Sequence, residues 1–168
     1  MLRSLIVFLF AMMTFAPPLV ASANPTSFAL KNLPSKKLRG DIPDLSKANL
    51  ILIDFWASWC TPCLASLPFY DELQKKYQDR GVVFLSLSED DSVEDAEKLL
   101  KKVHFSFPAL WDEGRKVANQ LKIESIPVLV VLDRTGKIIS VERGFTEKKK
   151  KALPGQIEVW LKTVTPKK

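Results

Sequence analysis

The sequence predicts an α/β protein whose mixed central sheet is covered by helices on both faces. Three observations carry this. The runs Leu50–Trp56 (LILIDFW), Val82–Leu87 and Val128–Leu132 (VLVVL) are almost continuously apolar, as strands covered on both faces are. Between them lie segments whose apolar residues recur at three- and four-residue spacing, the mark of a helix with one buried face. A hairpin and a helix then close the chain, so strands and helices alternate for most of its length.

Each element has a local reason. Asn24 to Leu50 is punctuated by Pro25, Pro34, Gly40 and Pro43 and reads as irregular, with a short extended piece at Phe28–Leu30. After the strand Leu50–Trp56, a helix is expected from Thr61 to Gln78, with Leu64, Leu67, Tyr70, Leu73 and Tyr77 on its apolar side, a kink at Pro68 and a stop at Gly81. Ser92 is placed to cap a helix through Lys102 that carries Asp95 at its third position and turns Ala96, Leu99, Leu100 and Val103 inward. Phe107–Trp111 reads as a short strand and Gly114–Leu121 as a short helix. Asp133-Arg134-Thr135-Gly136 is a turn from which Lys137–Glu142 returns as the second strand of a hairpin. Thr146 caps a last helix that Pro154-Gly155 is expected to interrupt, with Ile157, Val159, Trp160 and Leu161 supplying its apolar face. Trp111 and Trp160 are expected in the core.

Composition excludes several classes. The chain has 168 residues, 46% hydrophobic, 26% charged and 10% aromatic, which fits one ordinary domain and rules out coiled-coil, collagenous and disordered chains. Two cysteines cannot staple a chain of this size, so a disulfide-framework mini-protein is excluded too.

Residues 1–23 read as a secretory signal peptide ahead of a domain over 24–168. Arg3 gives the positive start, Leu5–Phe15 an apolar stretch, Pro17-Pro18 a break and Ala21-Ser22-Ala23 a small-residue cleavage site. The stretch is shorter than the ~20 residues that span a bilayer, which argues against a retained anchor. Cleavage after Ala23 leaves 145 residues and, with Arg3 gone, lowers the net charge from +6 to +5. The expected destination lies outside the cytosol. Much of the remaining charge sits in Lys148–Lys151 and the Lys167-Lys168 tail. No aromatic residue interleaves the run, so it reads as a solvated helix start and not as a nucleic-acid groove, with peripheral contact to an anionic membrane surface as the sharper alternative.

Cys60 and Cys63, spaced C-x-x-C, are the chemical feature. A structural zinc site needs four ligands, and the only other soft one is His104, so no metal is expected. Redox cycling fits the position. The strand Leu50–Trp56 runs out through Ala57-Ser58-Trp59, and Cys60 falls near a helix N-terminus, where free N–H groups and the helix dipole stabilise a thiolate. Pro62 suits the first helical turn. Cys63, on the same face one turn in, is the less exposed sulfur. Cys60 is therefore the candidate nucleophile and Cys63 the resolving thiol.

With these residues in place, the chain resembles the thioredoxin superfamily. The segment Asp54-Phe55-Trp56-Ala57-Ser58-Trp59-Cys60-Thr61-Pro62-Cys63 is similar to that family's active-site stretch, Pro68 to its helix proline, and Ile126-Pro127 to its cis-proline, which packs opposite the active-site cysteines. Cys63 to Pro127 is 64 residues, leaving room for one helix-strand insert from Ser92 to about Trp111. The insert, the signal and the run Pro127–Lys137 resemble the TlpA/ResA/DsbE branch of exported thiol-disulfide oxidoreductases. The resemblance spans about Phe28 to Leu161. It implies a thioredoxin-like three-layer fold, a cis Pro127, and a substrate groove in which Trp59 shields a mixed disulfide, Ile126 offers backbone groups to an extended chain, and Thr61 and Pro62 influence the thiolate.

Two positions depart from that branch. Ser66 stands where many members have a glutamate assigned an acid-base role, and reads as a solvated helix position. Asp54 stands where thioredoxin has its buried aspartate and many branch members have no acid. In an apolar strand its pKa is expected to rise by desolvation, and it could take the proton of Cys63 through a water. The alternative is an Asp54 that only hydrogen-bonds the backbone. Val128 stands where threonine is frequent in the family.

The resemblance implies reduction of specific protein disulfides, such as those of apocytochrome c or copper-delivery proteins. It also implies a membrane thiol donor of the DsbD/CcdA type and no cofactor beyond the Cys60–Cys63 disulfide. A disulfide-donating oxidase and a non-catalytic peptide-binding module are the alternatives at this point.

Overall fold

The computed structural model describes residues 24–164. The signal-peptide reading lies outside these residues. Six strands form one sheet: β1 (Lys37–Arg39), β2 (Leu50–Trp56), β3 (Val82–Ser88), β4 (Ala109–Trp111), β5 (Val128–Asp133) and β6 (Ile138–Arg143). Their order is β1-β4-β3-β2-β5-β6. β2–β3 and β3–β4 are parallel, while β1–β4, β2–β5 and β5–β6 are antiparallel, so the sheet is mixed as expected.

β2 is central, and all seven of its residues are buried. Alternation sends them to two cores. Leu50, Leu52 and Trp56 join one core with residues of α1 (Thr61–Tyr77), α2 (Val93–Leu100) and α4 (Glu147–Val164). Ile51, Ile53 and Phe55 join the other with α3 (Lys116–Gln120) and the N-terminal segment. Each fully buried side chain of this size contributes about 1.5–3 kcal/mol, so β2 alone anchors both layers.

Caps follow the sequence where they are local. Ser92 Oγ accepts from the Asp95 amide at 3.2 Å, and Thr146 Oγ1 from the Lys149 amide at 3.3 Å. Pro68 lies inside α1, which ends in a 3₁₀ turn at Gln78–Arg80 and a left-handed Gly81.

Ala29 is extended, next to a single bridge that joins Ser27 to Lys137, and Leu30 opens a 3₁₀ turn, so the expected extended piece is shorter than read. Three expectations are corrected. The segment read as irregular instead contains β1, whose partner is β4, far along the chain. Pro154 does not interrupt the last helix. Leu153, Ile157 and Leu161, at four-residue spacing, are buried against the α1 core, and Tyr77 donates to the Pro154 carbonyl at 3.2 Å. That packing outweighs the ~3 kcal/mol an internal proline costs. Trp111 and Trp160 are only half-buried. Trp111 lies on a short strand near the sheet edge and turns its Nε1 to the Asp90 carbonyl at 2.8 Å.

Candidate active site

β2 delivers the chain to the end of the sheet, and Ala57-Ser58-Trp59 carries it over to α1. Cys60 is the N-cap of α1, with extended backbone (φ −90°, ψ 90°) and a proline in the first turn. Its carbonyl accepts from the amides of Cys63 at 3.0 Å and Leu64 at 3.2 Å. No side chain caps this end, and the positive end of the helix dipole beside Cys60 favours a thiolate. Cys60 and Cys63 form a disulfide with Cα atoms 5.3 Å apart. Cys60 is 5% exposed and Cys63 not at all, in the order expected of an attacking and a resolving sulfur. Thr61 and Pro62 are exposed beside them.

The Ile126–Pro127 bond is cis. Pro127 is buried, and its carbonyl accepts from Gly144 at 2.7 Å, tying the loop to the end of β6. Ile126 is half-buried and packs against the core that holds both cysteines. It shares a recess of about 180 Å³ with Trp59, a residue 69% exposed. Trp56 is fully buried, so of the two tryptophans only Trp59 reaches the surface.

Asp54 lies between Leu52 and Trp56 on the face of β2 turned to α1, the face whose core contains both cysteines. Its strand neighbours are Ser86 and Leu129. It is fully buried, and neither carboxylate oxygen has a hydrogen-bond partner. Burial alone holds its pKa well above the usual carboxylate range. The alternative of an aspartate that only bonds the backbone does not describe this residue.

Ser66 is corrected. It is buried, not solvated, and its Oγ donates to the Cys63 carbonyl at 2.8 Å. One helical turn from Cys63 is the inward face of α1, and a hydroxyl back-bonding within the helix needs no solvent there.

Sequence reasoning missed three residues. Asp90 accepts from the Ser58 amide at 3.0 Å and the Ser58 hydroxyl at 2.7 Å, and from Ser88 Oγ at 2.7 Å, pinning the loop that precedes Cys60. Glu89 pairs with Arg115 Nε at 2.7 Å. Its amide bonds the Trp56 carbonyl at 2.7 Å. In sequence these are charges after a strand and in a short helix, and nothing in their spacing says that they meet.

His104 is exposed, and among the described residues no group of three or more His, Cys, Asp or Glu is placed to hold a metal. Of the lysine run, Lys149 is tied to the Arg143 carbonyl and lies 4.0 Å from Glu142, while Lys150 sits over the Phe69 ring at 5.5 Å. Lys148 and Lys151 are exposed. No helix among the described residues is long and apolar enough to cross a membrane.

The profile of the thioredoxin-like family matches residues 48–138. The thiol-disulfide oxidoreductase ResA of Bacillus cereus (strain ZK / E33L) is 29% identical over 140 residues, covering 83% of this chain and 76% of its own. Among solved structures, a Chlorobium tepidum protein described as a thiol:disulfide interchange protein DsbE is 31% identical at a TM-score of 0.66, covering 69% of this chain and 82% of its own. The exposed lipoprotein thioredoxin of Streptococcus pneumoniae strain TIGR4 is 30% identical at a TM-score of 0.63, covering 74% of this chain and 96% of its own.

Proposed function

This chain belongs to the thioredoxin-like family, and from that premise we propose that it is an exported thiol-disulfide oxidoreductase that reduces disulfides of specific proteins. The observation that carries the reading is the placement of Cys60: the N-cap residue of α1, bonded to a buried Cys63, beside a core face that carries an unpartnered Asp54.

In the reduced protein the Cys60 thiolate attacks one sulfur of the substrate disulfide. That bond breaks, a mixed disulfide with Cys60 forms, and the other substrate sulfur departs as a thiolate. The Cys63 thiol gives its proton to the Asp54 carboxylate through a water and attacks the Cys60 sulfur. The substrate leaves as a dithiol and the Cys60–Cys63 disulfide remains. The two sulfurs carry both electrons, so the chemistry needs no cofactor. Trp59, Thr61, Pro62 and the Ile126-Pro127 backbone form the bed on which an extended substrate segment lies.

The resemblance of its active-site motifs to the TlpA/ResA/DsbE branch supports substrates of the cytochrome c maturation or copper-delivery kind, and a membrane thiol carrier of the DsbD/CcdA type as electron source. The Ala21-Ser22-Ala23 site supports export with cleavage after Ala23, and a mature N-terminus at Asn24 in the secreted form is the corresponding result. An intact Met1 would refute it. Exposed Lys148 and Lys151 leave room for contact with an anionic membrane surface.

The test is trapping. Cys63→Ser cannot resolve its mixed disulfide, so incubation with periplasmic extract is expected to capture partners that a reductant releases, and Cys60→Ser to capture none. Absence of reductant-sensitive adducts refutes the assignment. A reduction potential well below about −200 mV marks a reductant, and one near about −120 mV the oxidase alternative.

A further inference from the structure

Buried polar atoms without a partner are few in this fold, and most of them lie together. Among the described residues there are five such side-chain atoms, and four of the five belong to Asp54, Trp56 and Ser86. Asp54 and Trp56 are two apart on β2 and so share a face. Ser86 is the residue of β3 that pairs with Asp54 in the parallel register, so it stands on that face too. The preceding pair on this face, Leu52 and Phe84, belongs to the core that contains both cysteines. All three polar residues are wholly buried. A buried hydroxyl without a hydrogen bond is costly, and alanine would fill the place of Ser86 without that cost. The other groups around Asp54 leave its oxygens without a donor. On α1, the Tyr70 hydroxyl feels the charges of Asp54 and of Glu142 on β6 and is met by Ser66, whose own hydrogen goes to the Cys63 carbonyl at 2.8 Å. Across β5 the neighbour is Leu129. α4 turns Leu153, Ile157 and Leu161 to this core, and its Lys149 lies 4.0 Å from Glu142. Neighbouring strands are about 4.7–4.9 Å apart, so a turn of Ser86 about its Cα–Cβ bond brings Oγ to an Asp54 oxygen with no movement of the backbone.

We infer that Ser86 is the positioning residue of this buried acid: its hydroxyl turns to Asp54, donates to one carboxylate oxygen while the acid is ionised, and leaves the other oxygen for the proton of Cys63. The inference rests on the oxidoreductase reading above and adds to it the residue that makes Asp54 available as a base. Charge fixes the direction of the effect. A hydroxyl that donates to the carboxylate favours the charged form, whereas burial opposes it. Without the Ser86 hydroxyl only burial acts, and the ionised acid becomes scarcer at every pH below its midpoint.

The test uses the full chain with Cys60 and Cys63 reduced, in single turnover across pH. Its probe is the disulfide dimer of thionitrobenzoate, which releases one coloured thiolate when Cys60 attacks and a second when Cys63 resolves the mixed disulfide. Ser86→Ala is expected to move the midpoint of the second phase up by about one pH unit, so that its rate below the midpoint falls about tenfold, the low end for one hydrogen bond to a charged group. The first phase and the plateau of the second are expected to stay within about twofold of the wild type, a margin set by that tenfold effect. Ser86→Thr keeps a hydroxyl and is expected to keep the midpoint. Beside Asp54→Asn, Ser86→Ala is expected to add nothing to the loss. A merely structural role would lower the plateau and leave the midpoint where it is. An unmoved midpoint, or an effect that persists beside Asp54→Asn, overturns the inference while the oxidoreductase reading stands. Ser86→Val, which suits a strand, decides in the same way if the alanine variant does not fold. A wild type that releases no second thiolate overturns both.

Discussion

Replacing Asp54 with asparagine tests the buried acid through two independent readouts. The carboxyl is fully buried with no partner, and its pKa in the folded protein is raised well above the ordinary value of 3.8. Between those two values the unfolded chain has lost the proton and the folded one keeps it. The folded state then binds one proton more, and stability falls as pH rises, by about 1.4 kcal/mol per pH unit. The loss is complete only above the raised value. Accumulated across the window, that slope takes an appreciable share of an ordinary 5–15 kcal/mol. Asparagine keeps nearly the same volume and removes the titration, so Asp54→Asn gains on the wild type by that amount as pH rises. The assay is urea unfolding of both proteins at several pH values, with Cys60–Cys63 oxidised so that no thiol titrates. The other raised acid, Glu89, is present in both and cancels in the difference. Stability curves that stay parallel with pH would refute the reasoning, since they would mean Asp54 is ionised in the fold. In kinetics, the same variant is expected to slow resolution of the mixed disulfide by about 10²-fold while alkylation of Cys60 hardly changes. Unchanged turnover across pH would remove the acid-base role.

Three further outcomes follow from the contacts. Asp112→Ala removes the acceptor for the first amides of α3, and thermal unfolding is expected to show a loss of about 1–2 kcal/mol. Gly136 has φ +84°, and a methyl group there would lie 2.0 Å from the Phe28 carbonyl oxygen. Gly136→Ala is therefore expected to cost about 1–3 kcal/mol and to expose the Phe28 amide, which bonds the Gly136 carbonyl at 2.7 Å, to hydrogen exchange. Asp90→Ala frees Ser58, so its amide is expected to lose protection and substrate reduction to fall by up to about 10²-fold, as small misplacements of a reacting group do. An Asp90→Ala protein with full Ser58 protection would show that another contact holds the loop.

The parts of the site that were legible in sequence are those whose cause is local. Cys60 falls at a helix start because an apolar strand ends four residues before it and Pro62 follows it. Cys63 is buried because it is one turn further in. Asp54 stood out because nothing polar flanks it in LILIDFW, and the fold keeps it without a partner. Ser66 was misread because burial of a small polar residue depends on what α1 packs against, and its hydroxyl can bond within the helix. Pro154 was misread for the same kind of reason. Its cost is local and visible, whereas the burial of Leu153, Ile157 and Leu161 that offsets it comes from elements far away in the chain.

By itself, the sequence determined the α/β class, the three long strands, the helix caps at Ser92 and Thr146 and the redox pair with its helix start. All of these rest on periodicity, caps and apolar runs, which act over a few residues. Only the tertiary structure decided that Lys37–Arg39 closes one edge of the sheet, that Asp90 reaches back to Ser58, and that Glu89 and Arg115 meet beside Trp59 and Ile126. The reason is physical. Strand order and buried ion pairs join residues tens of positions apart, and whether a charge is solvated or left without a donor is settled only when the whole core has closed around it.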